Sequence, residues 1–278
     1  MFLAPQAAAC RQPDGAPLLT KDMDTMHISR ILSTLSLLLA LSLLAGCSHI
    51  GKDETHGWSA EQFYNRANDQ MNRGNYSEAI EMYTKLEARY PYGRFAQQAQ
   101  IEVIYAHYKA SEPASAVAAA DRFIRLYPRH PNVDYAYYMR GLATFEQGAG
   151  FLERWLPQDR AKRDPAGMRE SFNYFRELVS QFPDSRYSSD AVARMTILRN
   201  NLARHEVLVA DYYLRRGVHL AAANRGKYVL EHYPQSTAIP DALAVMLQAY
   251  REMGMDDLAE DAKRVLTLNY PEHPVLKQ

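Results

Sequence analysis

The stretch RGNYSEAIEMYTKLEARYPYG, Arg73 to Gly93, decides how the rest of this chain is read. Gly74-Asn75-Tyr76 is a turn signal, because glycine and asparagine tolerate the backbone angles that close a tight connection. Behind it Ala79, Tyr83 and Leu86 recur at steps of four and three residues, the spacing of one helix face. Tyr90-Pro91 then ends the helix, since proline has no amide hydrogen and biases the residue before it towards extended geometry. Two helices separated by the glycine turn are therefore expected. The small Ala79 lets them approach, and Tyr83 wedges against the next pair.

The same punctuation recurs. Tyr90-Pro91, Tyr127-Pro128, Phe182-Pro183, Tyr233-Pro234 and Tyr270-Pro271 each close an amphipathic stretch. The first two prolines are 37 residues apart and so are the last two, with longer intervals of 55 and 51 between them. Periods of this size in a chain without strand-like alternation point to stacked helix pairs. The spacing resembles the tetratricopeptide pattern: Ala116, Phe123 and Pro128 repeat the first unit, and Gly254, Ala259, Leu266 and Pro271 do so at the end. The third unit is stretched by GAGFLERWLPQDRAKRDPAG, Gly148 to Gly167, and the fourth by a long first helix from about Ser188 to Arg216. The expected fold is all-α, a repeat superhelix of about five helix pairs. Residues 58–147 form its N-terminal repeats, 148–167 an insertion loop and 168–278 its C-terminal repeats.

Ahead of the repeats lies a different kind of sequence. ILSTLSLLLALSLLAG, Ile31 to Gly46, follows Met26-His27-Ile28-Ser29-Arg30. A basic start and an apolar core of this length read as an export signal rather than a spanning helix, which needs about 20 apolar residues. Leu44-Ala45-Gly46-Cys47 resembles the bacterial lipobox, so Cys47 is the expected lipidation site; an ordinary signal with an incidental cysteine, or an uncleaved anchor, is the alternative. Residues 26–46 are then a lipoprotein signal peptide, and 47–57 the lipidated cysteine and a polar tether. Residues 1–25, with acids and prolines ahead of a normal signal, read as an upstream extension, with Met26 the expected start. Ser48 after the cysteine, rather than Asp, resembles outer-membrane sorting.

The chain has only two cysteines, Cys10 and Cys47, so its body carries no disulfide framework and no Cys-rich zinc site. With 47% hydrophobic residues, a body of this length can bury a real core. Of 32 basic and 32 acidic residues, three of each precede Cys47, leaving 29 and 29. A neutral body argues against nucleic-acid binding, which wants a basic excess, and against electrostatic attachment to a membrane.

No hydrolase elbow, phosphate loop or His-Glu-x-x-His motif occurs. The nine histidines form no pair at helical ligand spacing, and His130, His232 and His273 sit beside the closing prolines. Asp159 and Asp164 lie among Arg160, Lys162 and Arg163, which suits salt-bridged structure better than acid–base catalysis. No enzyme activity, metal or cofactor is expected.

What remains is surface. In tetratricopeptide solenoids the first helix of each pair lines the concave side, and that phase places Tyr64, Asn68, Tyr105, Tyr108, Tyr135, Tyr138 and Phe145 there. Aromatic side chains offer large contact area at low entropic cost, which suits an extended, aromatic-bearing peptide. Any one of these tyrosines could instead be packed between helices.

Four strings carry a closer resemblance: YPYGRFAQQAQIEVIYAHYK, DRFIRLYPRHPNVDYAYYMRGL, DRAKRDP and SRYSSDAVARMTILRNNLARHEVLVADYYLRRG. They are similar to the BamD family, tetratricopeptide lipoproteins of the β-barrel assembly (BAM) machinery, from the lipobox to about Pro271. The resemblance implies a non-enzymatic scaffold, lipid-anchored on the periplasmic face of the outer membrane. It implies partners: BamA through its POTRA domains, the accessory lipoproteins BamC and BamE, and unfolded outer-membrane β-barrel proteins. It also implies that Asn224 and Arg225 contact an acidic residue of BamA. Arg225→Glu is then expected to weaken BamA binding while leaving thermal stability nearly unchanged. The runner-up is a tetratricopeptide pilotin-like lipoprotein escorting a secretin or pilus subunit, and a periplasmic cell-wall enzyme with a helical domain is third.

Overall fold

The computed structural model describes residues 55–146 and 159–277; the signal peptide, Cys47 and most of the tether lie outside them. Within the described residues there are ten α-helices, two short 3-10 turns and no strand. In chain order the helices are α1 (Ala60–Asn72), α2 (Tyr76–Arg89), α3 (Arg94–Lys109), α4 (Pro113–Leu126), α5 (Val133–Glu146), α6 (Ala166–Gln181), α7 (Ser188–Arg215), α8 (His219–His232), α9 (Ile239–Glu252) and α10 (Asp256–Asn269). Each packs on its neighbours in sequence, and α1 also meets α3, α3 meets α5 and α7 meets α9. The odd-numbered helices therefore form one layer and the even-numbered ones another.

Local chemistry sets the boundaries. Ser59 and Gln62 form a reciprocal capping box at the start of α1: the Gln62 amide donates to Ser59 Oγ at 3.2 Å and the Ser59 amide to Gln62 Oε1 at 2.7 Å. Within the pairs, α1, α3, α7 and α9 end in the same way. The Asn75 amide returns to the Gln70 carbonyl at 2.9 Å, Glu112 to His107 at 2.9 Å, Val218 to Tyr213 at 3.0 Å and Met255 to Tyr250 at 2.9 Å. This six-residue closure needs one left-handed residue. Gly74, Gly217 and Gly254 supply it at φ of 79°, 74° and 66°, while the second pair uses Ser111 at 61°. Between pairs, the aromatic-proline signals end their helices as read: Tyr90, Tyr127, Phe182, Tyr233 and Tyr270 have φ between −129° and −140°.

The even-numbered helices bury one repeating set of positions. Ala79, Tyr83 and Leu86 are fully buried, and so are Ala116, Ala120 and Phe123 on α4 and Ser171, Phe175 and Leu178 on α6. On α8 the same column reads Ala222, Gly226, Val229, and on α10 it reads Ala259, Lys263, Leu266. A lysine replaces the wedge residue in the last repeat, where no further described pair follows. Two glycines allow unusually close helix contact. A Cβ on Gly141 of α5 would stand 2.7 Å from the Phe175 ring, and one on Gly226 of α8 would stand 2.9 Å from the Ala242 carbonyl oxygen of α9.

Of the region read as an insertion, residues 147–158 are outside the described set. The remainder holds a 3-10 turn at Arg160–Lys162, capped by Asp159 Oδ1 accepting from the Ala161 amide at 3.1 Å, and α6 begins at Ala166.

Candidate functional site

The odd-numbered layer carries the aromatic side chains expected on the concave side. Tyr105 and Tyr108 neighbour each other on α3, ring centroids 6.3 Å apart. The Tyr108 hydroxyl crosses to α5 and donates to Glu146 Oε2 at 2.7 Å. On α5, Tyr135 and Tyr138 both meet Tyr187, at 5.6 and 4.9 Å, and the Tyr138–Tyr187 pair is stacked at 17°. The Tyr138 hydroxyl donates to Asp190 Oδ2 of α7 at 2.7 Å, and Arg194 Nε donates to the same oxygen at 2.6 Å. Arg194 also lies 5.0 Å over the Phe145 ring, with Arg160 at 5.2 Å. Five of the seven expected residues thus lie on α3 and α5 in two ring groups, Tyr105 with Tyr108 and Tyr135, Tyr138 and Phe145 with Tyr187 and Phe175, joined through the Tyr108–Glu146 hydrogen bond into one aromatic track.

The other two sit at one end. Tyr64 packs at 5.5 Å from Phe95 and 6.0 Å from Tyr83. Asn68 Oδ1 accepts the Tyr83 hydroxyl at 2.7 Å, so this amide is engaged in holding a fully buried wedge residue. Burial raises the hydroxyl pKa of both Tyr64 and Tyr135, and the nearby charge of Glu102 on α3 adds to it at each.

The electrostatics favour un-ionised tyrosines and an ionised acid. Burial pushes the Tyr108, Tyr135 and Tyr138 hydroxyls above their ordinary value, and the carboxylates accepting from Tyr108 and Tyr138 add to it. At Asp190 burial works the other way, yet the hydrogen bonds from Arg194 and Tyr138 together hold the carboxyl below its usual range. Two of the ring hydroxyls are thereby spent inside the protein.

Three members of the track escape a repeat-based reading. Tyr187 lies in the turn between pairs, where the tetratricopeptide phase assigns no concave position, and Asp190 and Arg194 are ordinary helix-surface charges by sequence. Only the tyrosine-rich neighbourhood of α5 hinted at a partner for them.

Arg225, expected to reach a partner's acidic residue, is tied to an acid of the protein itself. Its Nη1 donates to Glu206 Oε2 at 2.7 Å, and Glu206 has a side chain only 3% exposed. Arg169 of α6 reaches the other oxygen at 3.3 Å. This pair argues against the expectation that Arg225→Glu leaves stability unchanged, because the substitution would set a second carboxylate against buried Glu206. Asn224 beside it is exposed.

The family model described as "YfiO: Outer membrane lipoprotein" matches residues 57–265, which include the whole aromatic track and Arg225. The chain belongs to this family. Relatives named "Outer membrane protein assembly factor BamD" are similar along nearly the whole length. That of Neisseria meningitidis serogroup B is 44% identical over 90% of this chain and 95% of its own. Those of Xylella fastidiosa 9a5c and Vibrio cholerae are 40% and 39% identical, over 87% and 85% of this chain and 83% and 98% of theirs. Among the described residues of this YfiO-family chain, no helix is long and apolar enough to cross a membrane.

Proposed function

We propose that this protein is a BAM-complex assembly factor for outer-membrane β-barrel proteins, acting as a non-enzymatic scaffold that holds unfolded substrate chains in its concave aromatic groove. The observation that carries this reading is the aromatic track from Tyr105 to Phe145, tied together by Glu146, Asp190 and Arg194. Rings fixed by charge-assisted hydrogen bonds offer a preorganised surface for aromatic side chains, and an extended chain binds such a surface without first folding. Family membership and the naming of the relatives support the same assignment.

The anchor is the lipid on Cys47, which places the repeats on the periplasmic face of the outer membrane. The fixed partner is BamA, contacted through its POTRA domains by Asn224 and the outward edge of Arg225, with BamC and BamE as accessory lipoproteins. Arg225 is half-exposed and can share its guanidinium between Glu206 and a partner carboxylate.

The groove is tested by photocrosslinking of a C-terminal β-barrel peptide with a terminal aromatic residue. Tyr105→Ala with Tyr108→Ala should weaken capture by about 2 kcal/mol, the cost of removing aromatic hot-spot contacts. Undiminished crosslinking with an intact circular dichroism spectrum would move the substrate site elsewhere. Cys47→Ala should release the folded repeats from membranes that lack BamA.

A further inference from the structure

A second recess lies further along α7. Leu198, Asn201, His205, Leu208 and Tyr212 follow at steps of three and four residues and so form one stripe along the helix. The segment Asp159–Lys162 crosses this stripe. It is held there by His205 Nδ1 against the Ala161 carbonyl oxygen at 2.8 Å, by Arg204 on Asp159 at 3.0 Å, and by the full burial of Ala161. On one side of the crossing is a cavity of about 70 Å³ lined by Phe145, Leu198 and Asn201, the end of the aromatic track. On the other side opens a groove of about 500 Å³.

The groove has its own chemistry. Leu208, Val209, Tyr212 and Tyr213 line it together with Lys162 and Arg215. Tyr212 is 49% exposed, and Arg216 props its ring, with Nε 3.2 Å from the hydroxyl. The groove's lining carries two cations, Lys162 and Arg215, and no carboxylate; Arg215 also holds Asp211 at 3.2 Å, and Arg216 lies over the Tyr212 ring. The local balance is positive in a protein whose net charge is zero. The volume is in the range that encloses a ligand, enough for two or three large side chains and too small for a domain.

We propose that this groove binds a short acidic–apolar segment of a partner protein, with apolar side chains against Leu208, Val209 and Tyr212 and carboxylates towards Lys162 and Arg215. The segment crossing α7 keeps this ligand apart from chains held on the aromatic track, so the two sites can be filled together.

The test uses the full mature chain and two fluorescein-labelled octapeptides, one alternating leucine and glutamate, the other leucine and lysine. By anisotropy the acidic peptide should bind at least tenfold more tightly than the basic one. Lys162→Glu combined with Arg215→Glu should reverse that preference. Tyr212→Ser should weaken acidic-peptide binding about tenfold, a loss of about 1.4 kcal/mol. Tyr105→Ala with Tyr108→Ala should leave it unchanged, which separates this site from the substrate groove. Equal binding of both peptides, binding of neither, or indifference to Tyr212→Ser overturns the proposal. So does displacement of the acidic peptide by the mature chain's own self-association or by phosphatidylglycerol vesicles, which would assign the groove to a second copy or to lipid.

Discussion

Arg225 Nη1 stands 2.7 Å from Glu206 Oε2, and Glu206 is a carboxylate with a side chain 3% exposed. With Arg169 on the other oxygen, one buried acid on α7 binds together α6 and α8, helices from two successive pairs. A carboxylate is tolerated at such depth only while its charge is answered.

Arg225→Ala should therefore cost about 2 kcal/mol, the usual contribution of a hydrogen bond to a charged group. In a domain of this size that lowers Tm by about 4–8 °C in a circular dichroism melt, and Arg225→Glu should lower it further. The double variant Arg225→Ala with Glu206→Gln should recover part of the loss, since no buried charge is left unanswered. Unchanged melting of Arg225→Glu would show that the pair is idle. The proposed BamA contact is best tested on the double variant, where stability and contact are separated.

Ser111 occupies a turn position that three other pairs give to glycine, at φ of 61°. A left-handed L-residue costs roughly 1–2 kcal/mol, partly offset by the larger entropy glycine loses on folding. Ser111→Gly should stabilise the protein by about 0.5–1 kcal/mol, read as a shifted denaturant midpoint at constant slope. The reciprocal change, Gly217→Ser, should destabilise it by a similar amount.

Gly141→Ala tests the close contact of α5 with α6. The added methyl would stand 2.7 Å from two ring carbons of Phe175, a fully buried side chain. Overpacking outweighs the gain in helix propensity, for a net loss of about 1–2 kcal/mol. Phe175 also lies 6.1 Å from Tyr138 and 6.4 Å from Phe145. The same substitution should therefore weaken peptide capture, whereas Gly226→Ala, whose added methyl would meet Met246 and Ala242 of α9, should cost stability and leave peptide capture unchanged.

The groove tyrosines set an alkaline limit. Burial raises the hydroxyl pKa of Tyr108, Tyr135 and Tyr138 in the folded state, so folding favours their protonated forms. Their contribution is intact below the unfolded tyrosine pKa of about 10 and is lost as pH rises beyond it. Denaturant midpoints measured from pH 8 to 11 should fall steeply above about pH 10. A variant with all three changed to phenylalanine should fall less, and an identical pH profile would rule these hydroxyls out.

The repeat frame was legible because its signals are local. A proline after an aromatic residue ends a helix whatever surrounds it, and Ala79, Tyr83 and Leu86 mark a buried face by spacing alone. The expectation of tyrosines on the first helix of each pair followed from that frame. Tyr187, Asp190 and Arg194 did not, because their roles arise between pairs, from residues about 50 positions from Tyr138 in sequence. Arg225 shows the same limit. Its neighbours in sequence are exposed Asn224 and buried Gly226, and nothing local announces a carboxylate buried 19 residues earlier. Ser111 was hidden for the opposite reason: a non-glycine in a glycine slot carries no local turn signal.

The length of α7 has a mechanical consequence. Its 28 residues make a rod of about 42 Å, twice as long as the 14-residue helices around it. Asp190 and Arg194, near one tip, brace the aromatic track, while Tyr212 and Arg215, near the other, face the basic groove. A rod hydrogen-bonded along its whole length cannot pivot at one tip and stay still at the other. Any load that a captured chain places on the first turns of α7 is delivered, with leverage, to whatever is gripped at its last.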